Sequence, residues 1–210
     1  MVLMRPPARR EFVDGPAGRI ECAVDAAQNG ARGVAVVAHP HPLFGGSLDN
    51  KVAQTLARSL AELGYDAWRP NFRGVGASEG HHDEGRGEVA DLAAVLAHAR
   101  AASDRSEVVL AGFSFGAAMQ VLLAHQLRGE GRPAERMVLV GVAVTHHALP
   151  AVPADTVLIH GEHDETVPLA AVLDWARPHE VPVIVLPGAD HFFHGRLHSL
   201  RTIVRQNWRA

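Results

Sequence analysis

The clearest chemical signature in this sequence is a serine flanked by glycines, in the segment GFSFG at residues 112–116. An apolar run at residues 108–111 precedes it and an apolar helical segment follows it, so Ser114 is predicted to lie on a tight strand-to-helix turn. Such a G-x-S-x-G turn exposes the serine oxygen on a strained backbone, and the helix N-terminus favours developing negative charge. The chemistry indicated is nucleophilic attack by Ser114. The alternative is a glycine-rich turn that happens to contain a serine.

A serine hydroxyl is a weak nucleophile at neutral pH and needs a base that a third group orients. Of the 14 histidines, His191 in the segment GADHFF at residues 188–193 is the strongest candidate for that base. It follows the last predicted strand, at the sheet edge where doubly wound folds place their ligands. The order serine, acid, histidine along the chain supports the same assignment.

The orienting acid is expected after the preceding strand, where the segment GEHDETVP at residues 161–168 supplies three carboxylates. Asp164 is the predicted acid, with Glu162 and Glu165 as alternatives. Asp190 is adjacent to the candidate histidine in sequence and therefore poorly placed to face its ring nitrogen. Asp164 could instead serve as a helix cap or turn residue, because aspartate is favoured in both roles.

Attack on an acyl group also requires donors for the negative oxygen of the tetrahedral intermediate, and backbone N–H groups are their usual source. Phe115, directly after the nucleophile, is one predicted donor. The other is expected in the segment HPHPLFGG at residues 39–46, whose two prolines have no N–H. His41 is therefore the second predicted donor of the oxyanion hole, with Leu43 in reserve. The alternative is a stiff proline-rich loop without this role.

Three groups of histidines suggest metal binding at first sight, at residues 39–41, 81–83 and 146–147. None of them supplies a full ligand set at a familiar zinc spacing. We therefore expect neither a metal nor another cofactor. The histidines of the second and third groups are expected to line the rim of the site or to lie in solvent.

The elements that must position these residues alternate between short apolar runs and segments of helical period, which indicates βαβ units around a mostly parallel sheet. Strands are predicted near residues 11–13, 20–25, 33–38, 66–70, 108–111, 137–144, 156–160 and 181–186. Helices are predicted near residues 48–63, 89–99, 117–127, 169–176 and 197–208. The first two strands are expected to form an antiparallel edge.

Composition limits the class of protein. A chain of 210 residues that is 47% apolar and 20% charged is expected to form a single domain over residues 1–210. It has no apolar run of the roughly 18 residues that a membrane span requires, and with a net charge of −3 and scattered basic residues it is not expected to bind nucleic acid. Residues 1–10 lack the apolar region of an export signal, and the single Cys22 cannot form an internal disulfide. A cytoplasmic location is expected, and the oligomeric state is left open.

From residue 39 to residue 191 the chain resembles the α/β-hydrolase superfamily, and in particular small serine hydrolases without a lid that are related to dienelactone hydrolase but have serine in place of cysteine. The matching segments occur in the family's order, at residues 39–46, 71–78, 112–116, 161–168 and 188–193. The resemblance implies an eight-stranded, doubly wound, mostly parallel sheet with helices on both faces and no cap domain. It also implies a triad of Ser114, Asp164 and His191. The first segment departs from the family pattern by starting with His-Pro rather than His-Gly.

The expected activity is hydrolysis of carboxylic esters with short acyl chains through an acyl-enzyme. The substrates are expected to be small molecules. A serine at the turn argues against haloalkane dehalogenases and epoxide hydrolases, which use a carboxylate there. Thioesterase, amidase and peptidase activity use the same triad, and a non-catalytic binding protein on this scaffold is the alternative from another class. Between the sixth and seventh predicted strands, residues 145–155 are too few for a helical cap, so a shallow, open site is expected.

Overall fold

The computed structural model describes residues 7–28 and 30–208, and its centre is one eight-stranded sheet. The strands are β1 (Arg9–Gly15), β2 (Gly18–Asp25), β3 (Gly33–Ala38), β4 (Tyr65–Pro70), β5 (Glu107–Phe113), β6 (Arg136–Val140), β7 (Val157–Gly161) and β8 (Val183–Leu186). Their order across the sheet is β1-β2-β4-β3-β5-β6-β7-β8. β1 and β2 are antiparallel to their neighbours and the other pairs are parallel. This confirms the predicted class and its antiparallel edge.

Five α-helices cover the two faces of this sheet. They are α1 (Lys51–Glu62), α2 (Arg86–Ala101), α3 (Phe115–Gly129), α4 (Leu169–Ala176) and α5 (Leu197–Gln206). Buried apolar side chains of α2, α3 and α4 form one core cluster, and those of α1 and α5 form the other. Helices on both faces, as predicted, make this a doubly wound α/β fold.

The central strands are apolar throughout because both of their faces are covered. β3 shows this directly, since all of its residues are buried. Val34 and Val36 belong to the core cluster of α2 and α3, whereas Ala35 and Val37 belong to the cluster of α1 and α5. Successive side chains of a strand point to opposite faces, so each core receives every second residue.

The predicted elements exist, but several boundaries were wrong. The sixth strand was predicted over residues 137–144 and ends at Val140, because Gly141 adopts a φ of +53° and turns the chain towards the site. Residues 141–156 therefore connect β6 to β7, and this longer connection contains no helix. The two short 3-10 helices, Pro42–Phe44 and Arg177–His179, were not predicted.

Within residues 7–28 and 30–208, no helix has the length and apolar character needed to cross a membrane. The expectation about an export signal rests on residues 1–10, and residues 1–6 lie outside the part of the chain that the structure describes.

Candidate active site

The predicted strand-to-helix turn places Ser114 between the end of β5 and the start of α3. Ser114 adopts φ 55° and ψ −119°, a left-handed conformation that non-glycine residues rarely take. Its N–H donates to the carbonyl of Val140 at 2.9 Å and its carbonyl accepts from the N–H of Ala143 at 3.3 Å. Strain of this kind costs on the order of 1–3 kcal/mol and persists only where the surroundings enforce it.

The two glycines of the turn are required by close backbone packing. A Cβ at Gly112 would lie 2.6 Å from the nitrogen of Ala117. A Cβ at Gly116 would overlap the carbonyl oxygen of His39. Because these neighbours are backbone atoms, a side chain at either position would push β3, β5 and α3 apart.

Three side chains predicted from the sequence form one chain of hydrogen bonds. The Nδ1 of His191 lies 2.7 Å from the Oδ2 of Asp164, and the Nε2 of His191 lies 3.0 Å from the Oγ of Ser114. A carboxylate oxygen only accepts, so Nδ1 carries the ring proton and Nε2 presents a lone pair to the serine hydroxyl. All three residues are buried, which strengthens the electrostatic interaction between them.

The carboxyl ends of β7 and β8 bring His191 and Asp164 together, although 27 residues separate them along the chain. The N–H of His163 donates to the carbonyl of Ala189 at 2.9 Å, which joins the two loops. The ring of Phe113, at the end of β5, lies against the imidazole with its centroid at 4.9 Å. The imidazole of His191 is therefore held by both the carboxylate of Asp164 and the ring of Phe113.

Backbone donors hold the other oxygen of the Asp164 carboxylate. The Oδ1 of Asp164 accepts from the N–H of Thr166 at 3.0 Å and from that of Val167 at 2.7 Å. These bonds leave Oδ2 directed at the imidazole. Asp164 is thus also a turn residue, and the structural role that the sequence suggested for it coexists with the contact to the histidine.

The alternative acids face elsewhere. Glu162 is exposed, and its Oε2 accepts from the N–H of Gly188 at 2.8 Å. Glu165 is exposed as well. Asp190 pairs with the Nδ1 of His194 at 2.6 Å, and this pair lowers the pKa of the Asp190 carboxyl. None of these three carboxylates contacts the imidazole of the candidate base.

The two predicted oxyanion donors, Phe115 and His41, line the same pocket as Ser114. Phe115 is the first residue of α3, so its N–H has no intrahelical acceptor. Its ring contacts that of His41 with the centroids 4.8 Å apart. Within the described part of the chain, neither N–H has a hydrogen-bond acceptor. The N–H of the reserve candidate Leu43 is already used, since it donates to the Nδ1 of His41 at 3.2 Å.

The sequence did not predict the part that His39 plays in holding this loop. Its Nδ1 donates to the carbonyl of Pro40 at 2.6 Å, and its Nε2 accepts from the N–H of Phe72 at 3.0 Å. Burial lowers the pKa of His39 to about 4, so the ring is neutral and connects the end of β3 to the segment after β4. The position of this histidine at the end of a buried strand was the available signal.

A pocket of about 370 Å³ opens beside the serine. Its lining includes Ser114, Phe115, His41, His82, His146 and His147. All three histidine groups considered as metal ligands therefore contribute to the lining, through His41, His82, His146 and His147. Within the described residues, no group of three or more histidine, cysteine, aspartate or glutamate side chains is arranged to hold a metal ion.

Comparison with known proteins identifies the family. The family model for the alpha/beta hydrolase fold matches residues 41–155. An uncharacterized protein of Rickettsia prowazekii (strain Madrid E) is 32% identical over 192 residues, which cover 87% of this chain and 81% of that protein. An alpha-beta serine hydrolase homologue from Coxiella burnetii has a TM-score of 0.89 and 35% identity, covering 96% of this chain and 97% of the other.

A second solved structure is relevant to the missing cap. It is described as an α/β serine hydrolase without lid from Xanthomonas campestris, and it has a TM-score of 0.85 and 33% identity over 99% of this chain and 96% of the other. The matching fold, the relatives and the absence of a helix between β6 and β7 agree with one another. This chain belongs to the α/β-hydrolase family.

Proposed function

We propose that this protein is a serine esterase that hydrolyses small carboxylic esters with short acyl chains through an acyl-enzyme. Ser114 is the nucleophile, His191 the general base and Asp164 the acid that orients it. The observation that carries the proposal is the continuous chain of hydrogen bonds from the serine Oγ through the imidazole to the carboxylate, at 3.0 Å and 2.7 Å. This arrangement activates a serine hydroxyl for attack.

In the first half of the reaction, the Oγ of Ser114 attacks the ester carbonyl while the Nε2 of His191 takes its proton. The new imidazolium is stabilised by Asp164. The carbonyl oxygen becomes an oxyanion, which accepts hydrogen bonds from the N–H groups of His41 and Phe115. The bond from carbon to the alcohol oxygen then breaks, the imidazolium returns its proton to that oxygen, and an acyl-serine remains.

In the second half, water replaces the alcohol. The Nε2 of His191 takes a proton from the water as its oxygen attacks the acyl-serine. The second tetrahedral intermediate collapses, the proton returns to the Oγ of Ser114, and the carboxylic acid leaves. Every proton is moved by a residue of the chain, so the proposal includes no cofactor.

Covalent labelling tests the proposal directly. A fluorophosphonate probe is expected to label the wild-type protein at Ser114 because it phosphonylates activated serines. Ser114→Ala should abolish labelling, whereas Ser106→Ala, which changes an exposed serine outside the site, should leave it intact. Failure of the folded wild-type protein to react, while a known serine hydrolase reacts beside it, would contradict the proposal.

Matched substrates then separate esterase activity from related activities. An acetate ester, the corresponding thioester and the corresponding amide present the same acyl group with three leaving groups. The proposal expects measurable hydrolysis of the ester and its loss in Ser114→Ala. Faster turnover of the thioester or the amide would move the assignment to a thioesterase or an amidase with the same triad.

A further inference from the structure

Aromatic rings surround the pocket beside Ser114. The ring of Phe115 lies with its centroid 4.8 Å from that of His41, 5.7 Å from that of His82 and 5.9 Å from that of His147. Phe44 contacts His41 at 4.8 Å and is 86% exposed at the mouth. Together with His146, these residues supply six rings from four separate segments to the lining of one small pocket.

Two of the histidine rings in this pocket, those of His41 and His147, have a lowered pKa. Burial lowers the pKa of His41, and the neighbouring His82 lowers it further. Burial together with the neighbouring His146 lowers the pKa of His147. The described lining contains no lysine or arginine, and Glu84 is its one carboxylate. Such a pocket presents no lysine or arginine to an anionic substrate.

The volume and the walls suit a flat ring on a short linker. The pocket measures about 370 Å³, within the usual range for small-molecule sites. A saturated ring would gain only from burial of its apolar area. A planar aromatic ring would gain in addition from edge-to-face and offset contacts with the surrounding rings.

We propose that the preferred substrates are esters that carry an aromatic ring close to the ester group. This inference rests on the proposed esterase function and specifies its substrate class. The aromatic ring lies among His41, Phe44, His82, Phe115 and His147, while the ester carbonyl lies at Ser114. A long aliphatic chain has no comparable partner in this pocket.

Two matched substrate pairs test this preference on each side of the scissile bond. Methyl phenylpropanoate is compared with methyl cyclohexylpropanoate, and phenylethyl acetate with cyclohexylethyl acetate. Each pair has the same carbonyl chemistry, and the cyclohexyl member has at least as much apolar area. We expect kcat/KM to be higher for the phenyl member of one pair by about fivefold or more. The pair that shows this preference identifies whether the acyl part or the alcohol part of the ester occupies the pocket.

The outcomes separate the two proposals. Hydrolysis of all four esters, with the cyclohexyl members equal or better in both pairs, overturns the aromatic preference and leaves the esterase proposal standing. Absence of hydrolysis of these esters and of methyl acetate overturns the esterase proposal, and the preference falls with it.

Variants of the pocket walls give a second measurement. Phe44→Leu and His147→Leu remove one ring each, without touching the hydrogen bonds of the triad. The phenyl-to-cyclohexyl ratio should fall by about twofold or more in both variants. Phe12→Leu and His125→Leu make the same changes at exposed positions outside the pocket and should preserve the ratio. An unchanged ratio in both pocket variants overturns the assignment of these walls.

A second histidine lies close to the carboxylate of Asp164. His160, in β7, is fully buried. Its Nε2 lies 2.8 Å from the carbonyl oxygen of Val167 and 3.4 Å from the Oδ2 of Asp164. Because both partners are acceptors, Nε2 carries the ring proton. Val167 is thereby held at both ends, since its N–H donates to the Oδ1 of Asp164.

The opposite nitrogen of this ring has no such partner. Among the described residues, the Nδ1 of His160 is buried without a hydrogen bond. Burial lowers the pKa of His160, which keeps the ring neutral and its Nε2 the donor. An apolar side chain of similar size would avoid the cost of burying the unpaired Nδ1. Any advantage of histidine at this position therefore comes from its Nε2, which faces Asp164.

We infer that His160 is a positioning residue, which also rests on the proposed function. It anchors the loop that carries Asp164 and places a donor beside the oxygen that accepts from His191. It touches no substrate in the proposed mechanism. Its loss should therefore lower kcat with little change in KM.

Three substitutions distinguish this role from simple packing. In His160→Gln the amide nitrogen can occupy the position of Nε2 and donate, in His160→Asn it reaches only the position of Nδ1, and His160→Met has no donor. We expect kcat on a small ester to fall about tenfold or more in the Met and Asn variants, with KM nearly unchanged. The Gln variant should recover most of the loss.

The proton on the Nδ1 of His191 provides a spectroscopic readout. Its downfield NMR resonance should weaken or shift in His160→Met and persist in His160→Gln. Wild-type kcat and resonance in the Met variant would overturn the inference. Equal losses in the Gln and Met variants, at equal free energies of unfolding by urea, would also overturn it. If the wild-type protein reacts with the fluorophosphonate, loss of the His160 inference leaves the esterase proposal standing.

Discussion

At the scale of single residues, the site depends on which atoms can donate. Asp164 is an acceptor at both oxygens, with backbone N–H groups at Oδ1 and the imidazole at Oδ2. This forces the proton of His191 onto Nδ1 and leaves Nε2 free to accept from Ser114. An amide in place of the carboxylate would keep the shape but present a donor where an acceptor is required.

Replacement of Asp164, the proposed acid, should therefore reduce activity without changing the fold. In Asp164→Asn we expect kcat to fall by about 10³-fold or more, because the amide neither fixes the tautomer of His191 nor stabilises its imidazolium. Circular dichroism should show an unchanged fold. Glu162→Gln and Glu165→Gln alter exposed carboxylates in the same segment and should have little effect. A larger loss in either glutamine variant would show that another carboxylate is the acid.

At the scale of elements, the position of Ser114, the proposed nucleophile, depends on how closely a strand and a helix approach each other. β5 runs into Ser114 and α3 leaves from it, and both glycines of the turn face backbone atoms. At Gly116 the neighbours are the carbonyl groups at the end of β3, from which the loop of His41 departs. The same contact thus sets the distance between the nucleophile and a proposed oxyanion donor.

One methyl group should be enough to disturb this packing. Gly116→Ala is expected to lower the free energy of unfolding by about 1–3 kcal/mol and to reduce fluorophosphonate labelling. Gly129→Ala is the matched control, because it lies in the same helix with open space around its added Cβ. Urea unfolding measures both variants. A wild-type stability and labelling rate in Gly116→Ala would contradict the close approach of α3 and β3.

Local patterns were sufficient to predict the elements but not all of their ends. Apolar runs and helical periods predicted the eight strands and five helices, and G-x-S-x-G predicted the turn. The run VLVGVAV across residues 138–144 is apolar on both sides of Gly141. The apolar pattern therefore does not indicate that the strand ends at Val140 or that Gly141 takes a positive φ. That turn depends on a hydrogen bond from the N–H of Gly141 to the carbonyl of Ile159 in the neighbouring strand.

The sequence likewise predicted which residues meet in the site but not all of the contacts that hold them there. Order and loop position selected Ser114, Asp164 and His191, which the structure brings together, and their catalytic roles stay predictions. The contacts of His39 and His160 were missed. His39 bonds to Phe72, 33 residues away, and His160 contacts the acid only because the following loop folds back onto β7. Neither contact has a signature in residue spacing.

At the scale of the whole molecule, neutral buried histidines connect elements and make stability depend on pH. The pKa of His39 is lowered from 6.5 to about 4 in the folded protein, so between these values the unfolded chain binds more protons. Its contribution to stability is complete above pH 6.5 and is lost as the pH falls towards 4. The lowered pKa of His160 acts in the same direction.

We therefore expect the free energy of unfolding in urea to decrease between pH 7 and pH 5, by on the order of 1–2 kcal/mol from His39 alone. His39→Gln replaces the ring with an amide that does not titrate, so its stability should depend less steeply on pH. His163→Gln removes an exposed histidine and should preserve the wild-type slope. Equal slopes in all three proteins would contradict the assigned role of His39.

The connection between β6 and β7 determines access to the site. Residues 141–156 contain no helix, so this connection supplies no cap that could close over a long acyl chain and exclude water. The pocket of about 370 Å³ limits how much chain can be buried. Each CH₂ that enters it can raise kcat/KM by up to about fourfold, whereas CH₂ groups beyond it remain in solvent and contribute nothing.

Across acyl esters of one alcohol, from acetate to palmitate, kcat/KM should consequently reach its highest value at the short chain that fills the pocket, with no further gain towards palmitate. Rates should change smoothly where the longer esters pass from dissolved to micellar form, because no lid is present to open at an interface. Steady-state rates on both sides of that threshold, with Ser114→Ala as the blank, measure both features. An optimum at palmitate with a jump at the threshold would mean that another segment covers the site. The loop between β4 and α2, which brings His82 and Glu84 to the pocket, would then be the first segment to truncate.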